Sequence, residues 1–234
     1  MKSAKRLLCL SLLCSLFFAT PQSVLGLEDP DPHRFDKYVA EISADGHSPG
    51  EILFFGSSSA RMWDVKKCFP KLPTINHAFG GSQISDCIYF FDKLVKSCKP
   101  KVIVFYCGTN DLTAGKAPER VVKDFQTFIT KLHKELPETR LIYVGICPNE
   151  SRWKFLSKMR QANRAIREIA VNDPLLYFWD VDSLMLGEDG KPIKEFYLKD
   201  KLHLNQTGYA HWTKQLRPIL EFVWERAGGA SKNN

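Results

Sequence analysis

Five short runs rich in Val, Ile, Phe and Tyr alternate with longer segments of helical period, and that alternation restricts the fold more than any other feature of the chain. The runs cover residues 51–56, 74–79, 101–107, 140–146 and 175–181. Between and after them, helical spacing predicts helices over 32–44, 82–97, 118–136, 154–171 and about 206–226. In the third of these, Val121, Val122, Phe125, Phe128, Ile129 and Leu132 share one face, as a helix packed on a sheet requires. Pro218 is expected to kink or restart the last helix. Strands that alternate with helices, without an internal repeat, imply a single domain built on a parallel sheet with helices on both faces.

In an open parallel sheet with right-handed crossovers, ligands bind beyond the carboxyl ends of the strands. Three of the predicted strands run into Gly56-Ser57-Ser58-Ser59, Gly80-Gly81-Ser82 and Gly108-Thr109-Asn110-Asp111. A fourth segment, Asp200-Lys201-Leu202-His203, stands before the last helix. Each segment alone is explained by turn formation and helix capping. Together they hold a hydroxyl nucleophile, donors for an oxyanion, and an imidazole with an acid three residues earlier to orient it.

The four segments, in this order, resemble the blocks of the SGNH (GDSL-type) esterases and lipases, and the resemblance extends from about Glu51 to Trp212. It implies a three-layer α/β/α fold with a five-stranded parallel sheet of flavodoxin-like order. Ser58 then occupies the nucleophile position, Asp200 and His203 complete the triad, and the N–H groups of Ser58 and Gly81 join the Asn110 amide as the oxyanion hole. Gly80 is the alternative to Gly81. The family's Gly-Asp-Ser stands here as Gly56-Ser57-Ser58, so Ser57 replaces a supporting Asp without removing a catalytic group. The Gly-x-Ser-x-Gly elbow of other hydrolases is absent. No metal or other cofactor is expected. Arg61, Trp63, Arg152 and Trp153 follow strands and are candidates for lining the mouth; His77, in the glycine turn, is a candidate for touching substrate.

Charge and cysteine content bound the partners. There are 33 Lys and Arg against 26 Asp and Glu, a net charge of +7 in 234 residues, too small and scattered to suggest nucleic-acid binding. Lys2, Lys5 and Arg6 precede an apolar run over 7–19 and a small-residue exit at Gly26. This pattern reads as a signal peptide over 1–26, with export to the periplasm or the medium, because the run is shorter than the ~20 residues a membrane span needs. The mature domain then covers 27–226, with no stable membrane insertion, and the small polar tail 227–234 is expected to be disordered. The five remaining cysteines, Cys68, Cys87, Cys98, Cys107 and Cys147, contain no Cys-x-x-Cys pair. Buried free thiols are expected, with Cys68–Cys98 as the one pairing to test. These features give a secreted serine esterase acting on short acyl groups, with acetyl esters of carbohydrates foremost. A lipase or lysophospholipase with the same triad, and a non-catalytic module binding an anion or sugar at the serine-rich turn, are the alternatives.

Overall fold

The computed structural model describes residues 28–44 and 49–230. The expected leader, its cleavage point and the last residues of the tail lie outside the described residues. The strands are β1 (Ile52–Gly56), β2 (Thr74–Asn76), β3 (Val102–Tyr106), β4 (Arg140–Val144) and β5 (Leu176–Trp179). All pairings are parallel, in the order β2-β1-β3-β4-β5. The helices are α1 (Asp36–Ala44), α2 (Ser58–Arg61), α3 (Val65–Cys68), α4 (Ile84–Tyr89), α5 (Phe91–Leu94), α6 (Thr109–Thr113), α7 (Pro118–Glu135), α8 (Leu156–Val171) and α9 (Gln206–Arg226).

Both faces of the sheet are covered, which is why its strands read as continuous apolar runs rather than as alternating ones. Leu53, Phe55, Ile103, Phe105, Leu141 and Tyr143 point into one core with Ile84, Phe91, Phe128 and Ile166. Their neighbours Ile52, Phe54, Val102, Val104, Ile142 and Val144 enter a second core with Trp63, Trp212, Leu216 and Leu220. The period of two along each strand therefore divides the molecule into its helix–sheet–helix layers. Helix α7 carries Pro118 and Glu119 in its first turn and His133 and Lys134 in its last, a distribution that suits the helix dipole, and its terminal Glu135 pairs with Lys96. Its Phe128 ring stacks on Phe105 of β3 at 4.5 Å between centroids.

The structure departs from the sequence reading at several boundaries. β2 has three residues, but the N–H groups of His77 and Phe79 still donate to Phe54 O and Gly56 O, so the chain stays zipped to β1 up to the glycine turn. The expected helix over 82–97 breaks at Phe90 into α4 and α5. α9 runs through Pro218, because Leu216, Leu220 and Val223 on either side are fully buried against the sheet. Residues 227–230 of the expected disordered tail fold back, with Gly229 N–H on Trp224 O and Lys101 Nζ on Gly228 O. All five described cysteines are free. Cys98 and Cys68 cannot pair because they pack on opposite faces of the sheet.

Candidate active site

The site begins where β1 ends. Gly56 has φ +117°, and a Cβ there would stand 2.0 Å from the Tyr106 carbonyl oxygen. Only glycine lets β1 approach β3 this closely while turning out of the sheet. The turn sends the Ser57 N–H to Tyr106 O at 2.8 Å and buries Ser57. Ser58 follows as the first residue of α2, half-buried at the edge of a cavity of about 500 Å³. A first-turn N–H has no partner within its helix, so the Ser58 amide is a free-standing donor at a helix N-terminus.

The loop before α9 brings the imidazole to that hydroxyl. His203 Nε2 lies 3.0 Å from Ser58 Oγ, and His203 Nδ1 lies 2.7 Å from Asp200 Oδ2. With Nδ1–H donating to the carboxylate, Nε2 is left to accept the Ser58 O–H. The other carboxylate oxygen, Oδ1, accepts the N–H groups of Leu202 and His203, each at 3.0 Å. Desolvation raises the Asp200 pKa, but the bonds from the His203 ring and these two amides outweigh it and hold the carboxyl at about 2. The Leu198 N–H donates to His203 O at 2.8 Å and closes the loop behind the ring.

The remaining polar groups come from the second and third blocks. Gly81 has φ +84°, nothing lies within 4 Å of where its Cβ would stand, and it lines the same cavity as Ser58. Gly80 also lines the cavity. The Asn110 amide donates one hydrogen to Ser82 O at 2.9 Å, which leaves its second N–H toward the cavity it lines. Ser82 in turn donates its hydroxyl to Gly56 O at 3.1 Å, so the three turns are tied to one another.

Behind Asn110, Asp111 is fully buried and accepts the Ile84 N–H at 3.2 Å. Its cation is Lys116, whose Nζ contacts Asp111 at 3.1 Å, Asp124 at 2.9 Å and Asp29 at 2.8 Å. Burial raises the Asp111 pKa, and Lys116 is the chief influence opposing it.

Of the sequence-predicted residues, the cavity unites Ser58, His203, Gly80, Gly81, Asn110, Arg61 and Arg152. Trp63 is not at the mouth: it is buried between Phe54, Phe69, Tyr209 and Trp212, with its indole N–H on Thr213. His77 is buried, with Nδ1 2.8 Å from Leu94 O, and lines not this cavity but a second one that shares Tyr38 and Arg61 with it. Trp153 is partly exposed and outside it. Sequence reasoning missed Phe35, Tyr38 and Leu202 in the wall. The first two stand on a segment that precedes β1 and is anchored by Arg34 on buried Asp86 at 2.7 Å and by Asp29 on Lys116. Among the described residues no group of His, Cys, Asp and Glu forms a metal site.

Comparison with known proteins gives one consistent answer. The family model for GDSL-like lipase/acylhydrolase matches residues 55–211. No curated protein matches the chain. Among solved structures, a candidate acylhydrolase from Bacteroides fragilis superposes with TM-score 0.70 at 18% identity, over 83% of this chain and 100% of that one. A GDSL-like lipase from Bacteroides thetaiotaomicron gives 0.69 at 14%, over 82% and 100%. An acetyl-xylooligosaccharide esterase from Geobacillus gives 0.59 at 14%, over 74% and 95%. These identities establish a shared fold, and the family match spans all four blocks. The chain belongs to the GDSL-like lipase/acylhydrolase family and is an ester-cleaving hydrolase.

Proposed function

We propose that the protein is an exported serine esterase that removes short acyl groups, above all O-acetyl groups on carbohydrates, with Ser58 as nucleophile, His203 as base and Asp200 as its orienter. The observation that carries this reading is the unbroken chain of contacts Ser58 Oγ, His203 Nε2, His203 Nδ1, Asp200 Oδ2, at 3.0 and 2.7 Å. A non-catalytic anion-binding turn has no use for the imidazole and its carboxylate.

In the first half-reaction Ser58 Oγ attacks the ester carbonyl carbon while Nε2 takes the hydroxyl proton. The carbonyl oxygen gains the charge and is met by the N–H groups of Ser58 and Gly81, or Gly80, and by Asn110 Nδ2. These donors are fixed by the turns before substrate arrives, so they favour the transition state over the ground state. Collapse of the intermediate breaks the bond to the alcohol oxygen, which takes the proton from Nε2 and leaves an acyl-serine. Water then attacks that acyl group, again with Nε2 as base, and returns Ser58 and a free acid. Asp200 stays ionised throughout and stabilises the imidazolium that forms in each half.

The short-acyl preference is supported by the modest size of the cavity and by the likeness to an acetyl-xylooligosaccharide esterase. Export is supported by the basic and apolar pattern of residues 1–26, and the single domain over 27–226 by the two cores that share one sheet. A panel of acetylated sugars and p-nitrophenyl esters of graded chain length tests the proposal. The expected result is a kcat/KM that is highest at acetyl and declines with each added pair of carbons. A rate that rises toward long chains would replace this reading with a lipase.

A further inference from the structure

The cavity beside Ser58 holds two guanidinium groups that the mechanism leaves unused. Arg61 lies on α2, three residues beyond the nucleophile, and Arg152 follows β4; both line the cavity with His203. Among the described residues, neither forms an ion pair, although four other arginines do. Glu150, two residues before Arg152, is committed to Lys201 at 2.5 Å and Asp200 to His203, while Asp64, three residues after Arg61, accepts the Lys67 N–H at 3.2 Å. Arg152 Nε is shut off from solvent without a hydrogen-bond partner. A buried donor left unmet is unfavourable, so the Arg152 side chain gains from any movement that brings it an acceptor. The rigid fork of a guanidinium matches a carboxylate, phosphate or sulfate better than it matches neutral hydroxyls.

The position of Arg152 says which part of the substrate carries that group. The Ser151 N–H donates to Lys201 O at 3.2 Å, so Arg152 stands against the loop that bears His203. His203 hands its proton to the departing alcohol, so the alcohol part lies on that side. Arg61 faces the glycine turn, with Nε 3.0 Å from where a Gly80 side chain would begin. We infer that Arg61 and Arg152 select esters whose alcohol part carries an anionic group, a carboxylate, phosphate or sulfate. The inference rests on the esterase reading above and names its substrate class.

The test compares acetylated glucose, acetylated glucuronic acid and acetylated glucose 6-phosphate by acetate release, with methyl butyrate and methyl hydrogen succinate as a pair differing in acyl charge. The expected result is a kcat/KM at least tenfold higher for one or both anionic sugars than for the neutral one, and the two anionic arms show which anion is preferred. That ratio should fall toward one in the Arg61→Gln, Arg152→Gln double variant, and also in the wild-type protein as salt is raised. A purely structural role would lower all substrates together and leave the ratio intact. Equal kcat/KM for neutral and anionic sugars, or a preference confined to the acyl pair, overturns the inference while Ser58 still reacts with a phosphonate. Loss of that reaction as well would instead mean that the esterase reading had failed.

Discussion

Lys116→Met removes the cation beneath the Asn110 turn, and the structure shows which charge suffers. Asp124 and Asp29 keep Arg120, at 2.7 and 2.6 Å, when Lys116 is lost. Asp111 keeps only the Ile84 N–H, and it is fully buried. Removing one partner of a buried ion pair costs about 3–5 kcal/mol, because the stranded charge can neither hydrate nor pair. Urea unfolding followed by tryptophan fluorescence at pH 7 should show a loss of that size. The loss should depend on pH in a stated direction. Burial already holds the folded Asp111 pKa above its ordinary value, and losing Lys116 raises it further. A group whose folded pKa is raised in this way takes up protons on folding. The penalty is therefore full above the variant's folded pKa and shrinks as pH falls from there toward the ordinary carboxylate range near about 3.9. Adding Asp111→Asn removes the stranded charge and should recover about 2 kcal/mol or more at pH 7. A deficit below about 1 kcal/mol, or one unchanged between pH 7 and 5 and not rescued by the second substitution, would refute the reasoning.

Three further outcomes bear on the site. Asn110→Ala should lower kcat by roughly 10²–10³ with a much smaller change in KM, since the amide acts on charge that exists only in the transition state; steady-state kinetics on a p-nitrophenyl ester measures both. Because Asp200 stays ionised down to about pH 2, the acid limb of kcat/KM should have the slope of a single proton; a two-proton slope above pH 4 would show that the carboxylate titrates too. Gly56→Ala should destabilise by about 2 kcal/mol or more, because the turn needs φ +117° and the methyl would meet Tyr106 O, and urea unfolding reads this directly.

Much of this architecture was legible because the sheet is buried on both faces. Ile52 to Phe55 and Val102 to Tyr106 are uninterrupted apolar strands, and α7 shows one apolar stripe, so neither depends on distant context. The contacts of His203 with Ser58 and Asp200 were legible in kind because the blocks follow strand ends or precede α9. The wall of the cavity was not. Phe35 and Tyr38 come from a segment before β1, and what carries them to the site is a set of long-range ion pairs, Arg34 with Asp86 and Asp29 with Lys116, that no local spacing reveals. Trp63 misled for a related reason. Its place just after α2 suggests the mouth, but the aromatic side of α9 offered it Tyr209, Trp212 and a hydroxyl for its indole N–H. The break between α4 and α5 at Phe90 lies in packing against Phe79 and Tyr89, which helical periodicity does not resolve.

Covalent labelling tests the central claim most directly, since it reads the nucleophile without needing the natural ester. The protein is treated with an organophosphonate serine probe, and the adduct is located by mass spectrometry of its peptides. The account requires a single adduct on Ser58, lost in Ser58→Ala, much slowed in His203→Ala, and retained in Ser57→Ala and Ser59→Ala, whose side chains are buried. An adduct on Ser57 or Ser59, or undiminished labelling and ester cleavage in Ser58→Ala, would contradict it.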